Sequence, residues 1–226
     1  MSFTLKQVVP WGRNFDEYCR MFALTNNEFA TRIVGCGEGP ASFNAEATEK
    51  GFQIVSVDPI YRFPAAQIEA WIREVAPTVA QQTRRNADQF VWDHFPTVED
   101  LIAARLAAMT KFFADYSKPD ATERYVAASL PDLPFPDKAF DLALCSHFLF
   151  LYSEHFDADF HVRSILELAR VATEVRIFPL FELSSRPSRH LSAVIESLGS
   201  HGLTTSRITV PYEFQKGANE MLKVTG

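Results

Sequence analysis

Cysteine is scarce in this chain: Cys19, Cys36 and Cys145 are too few, too far apart and odd in number to frame a disulfide scaffold. No Cys/His spacing resembles a zinc site, so no metal is expected, and the thiols suit a reducing compartment. No apolar run approaches the length of a spanning helix, and Met1 to Lys6 lacks the apolar core of a signal peptide. The expectation is a cytoplasmic protein with no membrane partner. Positive charge is also short, with 22 Lys and Arg against 28 Asp and Glu and a net charge of −6. That balance disfavours nucleic acid, whose phosphates call for a basic stripe, and the densest basic pair, Arg84-Arg85, reads as a solvated helix face. Nine glycines and thirteen prolines are scattered, leaving neither a low-complexity linker nor a repeat.

What is present is apolar material: 47% of 226 residues, enough for one substantial core and a single domain over 1–226. Phe15, Tyr18, Cys19, Phe22 and Ala23 keep a helical rhythm that predicts an amphipathic cap helix over 14–30. A strand over 31–36 runs into a glycine-rich turn, a helix over 40–50 follows with Pro40 in its first turn, and Gly51 closes it ahead of a strand over 52–57. Residues 64–117 read as a mostly helical insertion, with Thr97 before Glu99 and Asp100 opening its last stretch. Strands are then expected over 125–128 and 140–145, a helix over 156–172, a strand over 174–178, a helix over 188–198 ended by Gly199, and closing strands over 206–210 and 220–224. Strands alternating with helices and ending in a strand pair predict an α/β, doubly wound, mainly parallel sheet.

The turn Gly35-Cys36-Gly37-Glu38-Gly39 leaves a strand and opens a helix, where backbone approaches a ligand and a side chain would obstruct it. Asp58 ends the next strand, where a carboxylate can accept both hydroxyls of a ribose. A nucleoside cofactor follows. The dinucleotide fingerprint needs its last glycine three residues after the second, whereas Gly39 is two after Gly37, so NAD is disfavoured.

Val34 to Gly39 resembles the first motif of class I S-adenosylmethionine-dependent methyltransferases, and Asp58 matches their ribose-binding acid. Leu133 to Leu142 is similar to the segment that leads into the family's fourth strand. The resemblance spans roughly 31–224, leaves the insertion at 64–117 uncovered, and extends to a group of uncharacterised bacterial members. It implies a Rossmann-like sheet of seven strands with an antiparallel last strand, S-adenosylmethionine as cofactor and S-adenosylhomocysteine as product. It also implies that Gly35, Cys36, Gly37 and Gly39 pass beside the methionine part and that Pro59 and Ile60 flank the adenine. Ser129 stands where many relatives have an aspartate, which leaves Ser129 or the backbone of Leu130 near the adenine amino group. Ser146 lies at the end of the fourth strand, beside the cofactor. The family's frequent Pro-Gly-Gly before the fifth strand is replaced by Ala172-Thr173-Glu174, which puts the end of that helix in question.

The acceptor side of such folds faces the loop after the fourth strand, here Ser146 to Tyr152. The Asn- or Asp-Pro-Pro-aromatic sequence of enzymes that methylate base amines is absent, so a small-molecule acceptor with an oxygen or nitrogen nucleophile is expected. His147 is the candidate base, since an unperturbed imidazole titrates near neutrality, although a histidine that only walls the pocket is the plainer reading. Tyr152 and His155 are weaker candidates. Cys145 reads as a small buried apolar residue, and Phe148, Phe150, Trp92, Phe112 and Phe113 read mostly as core. The expected function is methyl transfer. The rival is a non-catalytic protein that binds the cofactor or its product on the same fold. The helix at 14–30 and the insertion are expected to form a lid.

Overall fold

A computed structural model of the chain describes Phe3 and residues 8–226. Short runs rich in β-branched and apolar residues build the sheet: β1 (Ile33–Cys36), β2 (Ile54–Val57), β3 (Tyr125–Val126), β4 (Phe140–Ser146), β5 (Ala172–Phe178), β6 (Thr204–Thr209) and β7 (Glu220–Thr225). Their order is β3-β2-β1-β4-β5-β7-β6. The pairs among β1 to β5 are parallel, and β7 runs antiparallel to both β5 and β6. This is a doubly wound, mainly parallel sheet with an antiparallel last strand, as the sequence predicts.

Among the described residues seven α-helices accompany it: α1 (Phe15–Met21), α2 (Asn26–Phe29), α3 (Phe43–Glu49), α4 (Ala65–Arg85), α5 (Val98–Tyr116), α6 (Ala158–Val171) and α7 (Leu191–Ser200). Successive side chains of a strand point to opposite faces, and the two cores divide accordingly. Val34, Cys36, Ala143 and Cys145 join Ile165, Leu168 and Val194 of α6 and α7. Ile33, Leu142 and Leu144 instead join Tyr18, Met21 and Phe43 of α1 and α3. Both faces of the sheet are thereby covered, which is why β1 carries no exposed residue. In α4 and α5, Ile68, Ile72 and Met109 pack together beside Trp11, the contact that seats the long segment on the rest of the molecule. Among the described residues no helix is long and apolar enough to cross a membrane.

Several elements differ from the sequence expectation, each for a local reason. The single helix expected over 14–30 is two, α1 and α2. Ala23 turns to φ +48°, and Thr25 with Glu28 forms a capping box that starts a new helix. Pro40 precedes α3 instead of opening it. Ser42 is the N-cap, and its N–H is given to Arg13 O at 3.0 Å. Gly199 lies inside α7, which ends at Ser200; past the His201 cap the chain turns at Gly202 (φ +82°), and Leu203 N–H reaches back to Leu198 O at 3.1 Å. The end of α6 needs no glycine pair: Ala172 starts β5 at once, and Lys138 Nζ donates to the carbonyls of Ala169 and Ala172 at 2.9 and 3.1 Å.

Candidate functional site

The chain turns back at β1. It winds through β2 and β3 to one side, then returns to lay β4 and β5 on the other, so a crevice opens where β1 and β4 end, the usual ligand position in open α/β sheets. Cys36 is in register with both Val57 and Cys145, which brings three strand ends to one level.

The glycine turn is fixed from below by β2. Gly37 N–H donates to Val57 O at 2.9 Å, and Gly39 N–H donates to Asp58 Oδ2 at 2.8 Å. Asp58 Oδ1 accepts the Ile60 N–H at 2.9 Å and so caps the short 3₁₀ turn Pro59–Arg62, whose Tyr61 hydroxyl returns to Gly39 O at 2.7 Å. Gly37 and Gly39 sit at φ +69° and +55°, in the left-handed region that glycine enters without a Cβ penalty. A Cβ on Gly37 would stand 2.8 Å from Phe148 Cβ.

A cavity of about 460 Å³ opens on this turn. Cys36, Gly37, Gly39, Asp58, Pro59 and Ile60 line one end of it, Ser129 and Leu130 flank them from the segment after β3, and Ser146 and His147 enter from the end of β4. Gly35 is the one predicted residue outside the lining. Its Cα faces inward, and a Cβ there would stand 2.0 Å from Glu38 Oε1. The Glu38 carboxyl occupies the space that a Gly35 Cβ would need. Glu38 is buried and takes the Ser56 hydroxyl as donor. Burial raises its pKa to about 7 against the pull of that hydroxyl, and burial also raises Asp58 to about 6 against its two backbone N–H donors.

His147 departs from the ordinary imidazole assumed from sequence. Burial first, then the charges of Arg13 and Arg105, push its pKa well below the usual value, so it is neutral and weakly basic. It stands at φ +52°, its N–H donates to Phe178 O at 2.7 Å, and Nδ1 lies 3.0 Å from Ser146 Oγ. Cys36 and Cys145 are buried thiols whose pKa burial raises, Cys145 to about 12, so neither is a nucleophile. Of the aromatic residues weighed for the acceptor pocket, Phe148 lines the cavity. Phe150 and Phe112 are fully buried, and Trp92 gives its Nε1–H to Ala87 O at 2.8 Å.

The end of the cavity away from Asp58 was not visible in the sequence. Arg105 of α5 and Tyr212 from the β6–β7 connection line the cavity there, and both engage Glu17 of α1. Arg105 Nη1 pairs with Glu17 Oε2, and the Tyr212 hydroxyl donates to Glu17 Oε1 at 2.8 Å. Burial alone would raise Glu17, yet the charge and hydrogen bond of Arg105, with Arg13 and the Asn14 N–H, hold it at about 2. Asn14 and Glu17 form a capping box that starts α1, and nothing in sequence links Glu17 to Arg105 across 88 residues. Trp11, Phe90 and Phe214 add apolar surface to the same cavity.

No protein-family model matches the chain. The uncharacterised protein MJ0045 of Methanocaldococcus jannaschii is 33% identical over 219 residues, which cover 96% of each chain. The chain belongs to the family of that protein. Among solved structures, a candidate O-methyltransferase of Nostoc punctiforme PCC 73102 superposes with a TM-score of 0.50 at 10% identity, over 94% of this chain and 57% of that one. The magnesium protoporphyrin IX methyltransferase of Synechocystis PCC 6803, solved with bound S-adenosylmethionine, gives 0.44 at 12% identity, over 85% and 68%. With the strand order above, the Nostoc likeness shows the class I methyltransferase fold.

Proposed function

We propose that this member of the family is an S-adenosylmethionine-dependent methyltransferase that acts on an oxygen or nitrogen atom of a small molecule. The observation that carries the reading is the meeting of Asp58 and the glycine turn at one cavity, at the sheet's switch point.

The residues fit the cofactor. Gly37 and Gly39 present backbone without side chains, and Asp58, held by two N–H donors, keeps lone pairs for ribose hydroxyls. Pro59 and Ile60 offer an apolar face for the adenine, with Ser129 and the Leu130 backbone at its edge. Bound there, S-adenosylmethionine would supply a methyl group activated on a sulfonium, open to in-line displacement by an acceptor lone pair with the thioether sulfur as leaving group. The chain's part is to orient the acceptor and exclude water, for which the apolar walls of Trp11, Phe148 and Phe214 are suited. His147, neutral and weakly basic, serves as wall and hydrogen-bond partner instead of a strong base. An oxygen acceptor that arrives deprotonated needs no base, and a methylated amine loses its proton to solvent as the product departs.

The cap formed by α1 and α2 and the segment 64–117 are the lid in this reading, joined at Glu17 and Arg105 over the cavity. Hydrogen exchange with and without S-adenosylhomocysteine tests it: unchanged protection across both segments removes the lid.

Calorimetric titration with S-adenosylmethionine and S-adenosylhomocysteine, with NAD as control and Asp58→Ala as variant, tests the cofactor. Binding of both that is lost in the variant is expected; binding of neither overturns the reading. A protein that binds without forming S-adenosylhomocysteine over a panel of acceptors is the non-catalytic alternative.

A further inference from the structure

Two guanidinium groups, those of Arg13 and Arg105, line the cavity, and the one carboxylate beside them, Glu17, pairs with Arg105. Arg105 has its counter-ion in Glu17 and lies over the Phe95 ring at 5.3 Å. Arg13 has none: among the described residues it makes no ion pair, its Nη1 reaches only Trp11 O at 3.3 Å, and its buried Nε has no hydrogen-bond partner. It is nevertheless held in place. Its carbonyl accepts the Ser42 N–H at 3.0 Å, and the preceding Gly12 lies so close to Pro40 that a Cβ would stand 2.0 Å from the Pro40 carbonyl oxygen. The charged groups that act on Arg13 most strongly are Arg105, which repels it, and Glu17, already engaged. Its neighbours His147, Tyr152 and Tyr212 are neutral, each lining the same cavity.

A guanidinium on a fixed backbone, without an ionic partner and lining a largely apolar cavity, is a costly arrangement unless a ligand completes it, and its planar fork matches a carboxylate. We propose that Arg13 anchors a carboxylate of the methyl acceptor, which is therefore an anionic small molecule with a flat apolar body. The inference rests on the methyltransferase reading above. Charge decides between acceptor and cofactor as the source. The cofactor sets one carboxylate against an ammonium and a sulfonium, so its arrival adds positive charge to the cavity, whereas an anionic acceptor removes it. Shape agrees: Trp11 precedes Arg13 by two residues, and Phe90 and Phe214, stacked at 4.6 Å, make a planar wall in the same cavity. Paired with Arg13, the carboxylate is the handle by which the acceptor is oriented, and the nucleophile is another atom of the same molecule.

The test titrates aryl carboxylates such as benzoate, naphthoate and indole-carboxylate, each beside its primary amide, into protein loaded with S-adenosylhomocysteine and into protein without it. Carboxylates are expected to bind about tenfold or more tightly than their amides, the scale of a charge-assisted pair. Arg13→Gln should erase the discrimination while S-adenosylhomocysteine binds within about twofold of wild type, and Arg13→Lys, which keeps charge but loses the fork, should restore part of it. Equal binding of carboxylates and amides by the wild type overturns the proposal. So does an Arg13→Gln protein that loses affinity for S-adenosylhomocysteine but not for 5′-methylthioadenosine, which lacks the amino-acid end, because Arg13 then serves the cofactor. Arg13-dependent carboxylate selectivity without any S-adenosylhomocysteine binding keeps the anchor and overturns the methyltransferase reading.

Discussion

The Asp58 carboxylate accepts the Gly39 N–H at 2.8 Å and so joins the end of β2 to the turn that leaves β1. One side chain therefore shapes the glycine turn and presents oxygen to the cavity that the turn borders. Its two roles separate experimentally.

Without ligand, Asp58→Ala leaves the Gly39 and Ile60 N–H groups without their acceptor and is expected to cost about 1–3 kcal/mol of stability. Asp58→Asn keeps one acceptor oxygen and should cost less. Urea denaturation of the unliganded proteins measures both; an alanine variant as stable as wild type would show that the carboxylate does not order the turn.

Burial holds Glu38 at about 7, above the ordinary carboxyl value of 4.5. A carboxyl whose pKa is raised by folding contributes its full stability below the unfolded value and loses it as pH climbs through the folded one. Between about pH 4.5 and 7 the wild type should therefore lose stability from this group, and Asp58, raised to about 6, adds to the same trend at slightly lower pH. Glu38→Gln cannot ionise, so it should be more stable than wild type at pH 8 and no more stable near pH 4. Denaturation midpoints across that range decide the matter. A glutamine variant that is weaker at pH 8 contradicts the sign.

Gly37 and Gly51 share a left-handed backbone, at φ +69° and +84°, but differ in surroundings. A Cβ on Gly51 meets nothing within 4 Å, whereas one on Gly37 meets Phe148 Cβ at 2.8 Å. Gly51→Ala is expected to cost the backbone strain alone, about 1–2 kcal/mol. Gly37→Ala should cost clearly more, and it should also lose S-adenosylhomocysteine binding. Equal melting temperatures for the two variants would show that Phe148 yields freely.

Glu17→Gln leaves Arg105 and Arg13 facing each other across the cavity without a carboxylate. Breaking a buried pair from one side costs about 3–5 kcal/mol, so this variant should be among the least stable single substitutions in the chain. Combining it with Arg105→Met should recover part of the loss, because the variants share one interaction. A double variant that sums the two single losses argues against direct coupling.

The sequence disclosed those parts of the molecule whose signals are local. The turn from Gly35 to Gly39, the acid at Asp58, and the helix start at Thr97 all act within a few residues or across one β-α-β unit, and the strands could be read from short apolar runs. Two kinds of feature stayed hidden. One is a glycine whose constraint is internal: Gly35 belongs to the motif by position, yet what fills its missing side chain is Glu38, a contact that a spacing rule cannot express. The other is a cluster gathered from distant segments. Glu17, Arg105 and Tyr212 lie on three elements, and the shift of His147 comes first from burial and then from arginines 134 and 42 positions away in the chain. An unperturbed imidazole is the natural assumption when those neighbours are unknown, and it was the wrong one here.

The place of β7 in the sheet also bears on how the chain can be assembled during synthesis. β6 hydrogen-bonds to the rest of the sheet through β7 alone, while β7, later in sequence, is sandwiched between β5 and β6. Until residues 220–225 have emerged from the ribosome, β6 has no strand to join and the open flank of β5 stays unpaired, an exposed edge of the kind that invites association between chains. Closure of the fold therefore waits on its last strand, and a nascent chain halted in the β6–β7 connection would present its apolar β5 edge to the chaperone machinery.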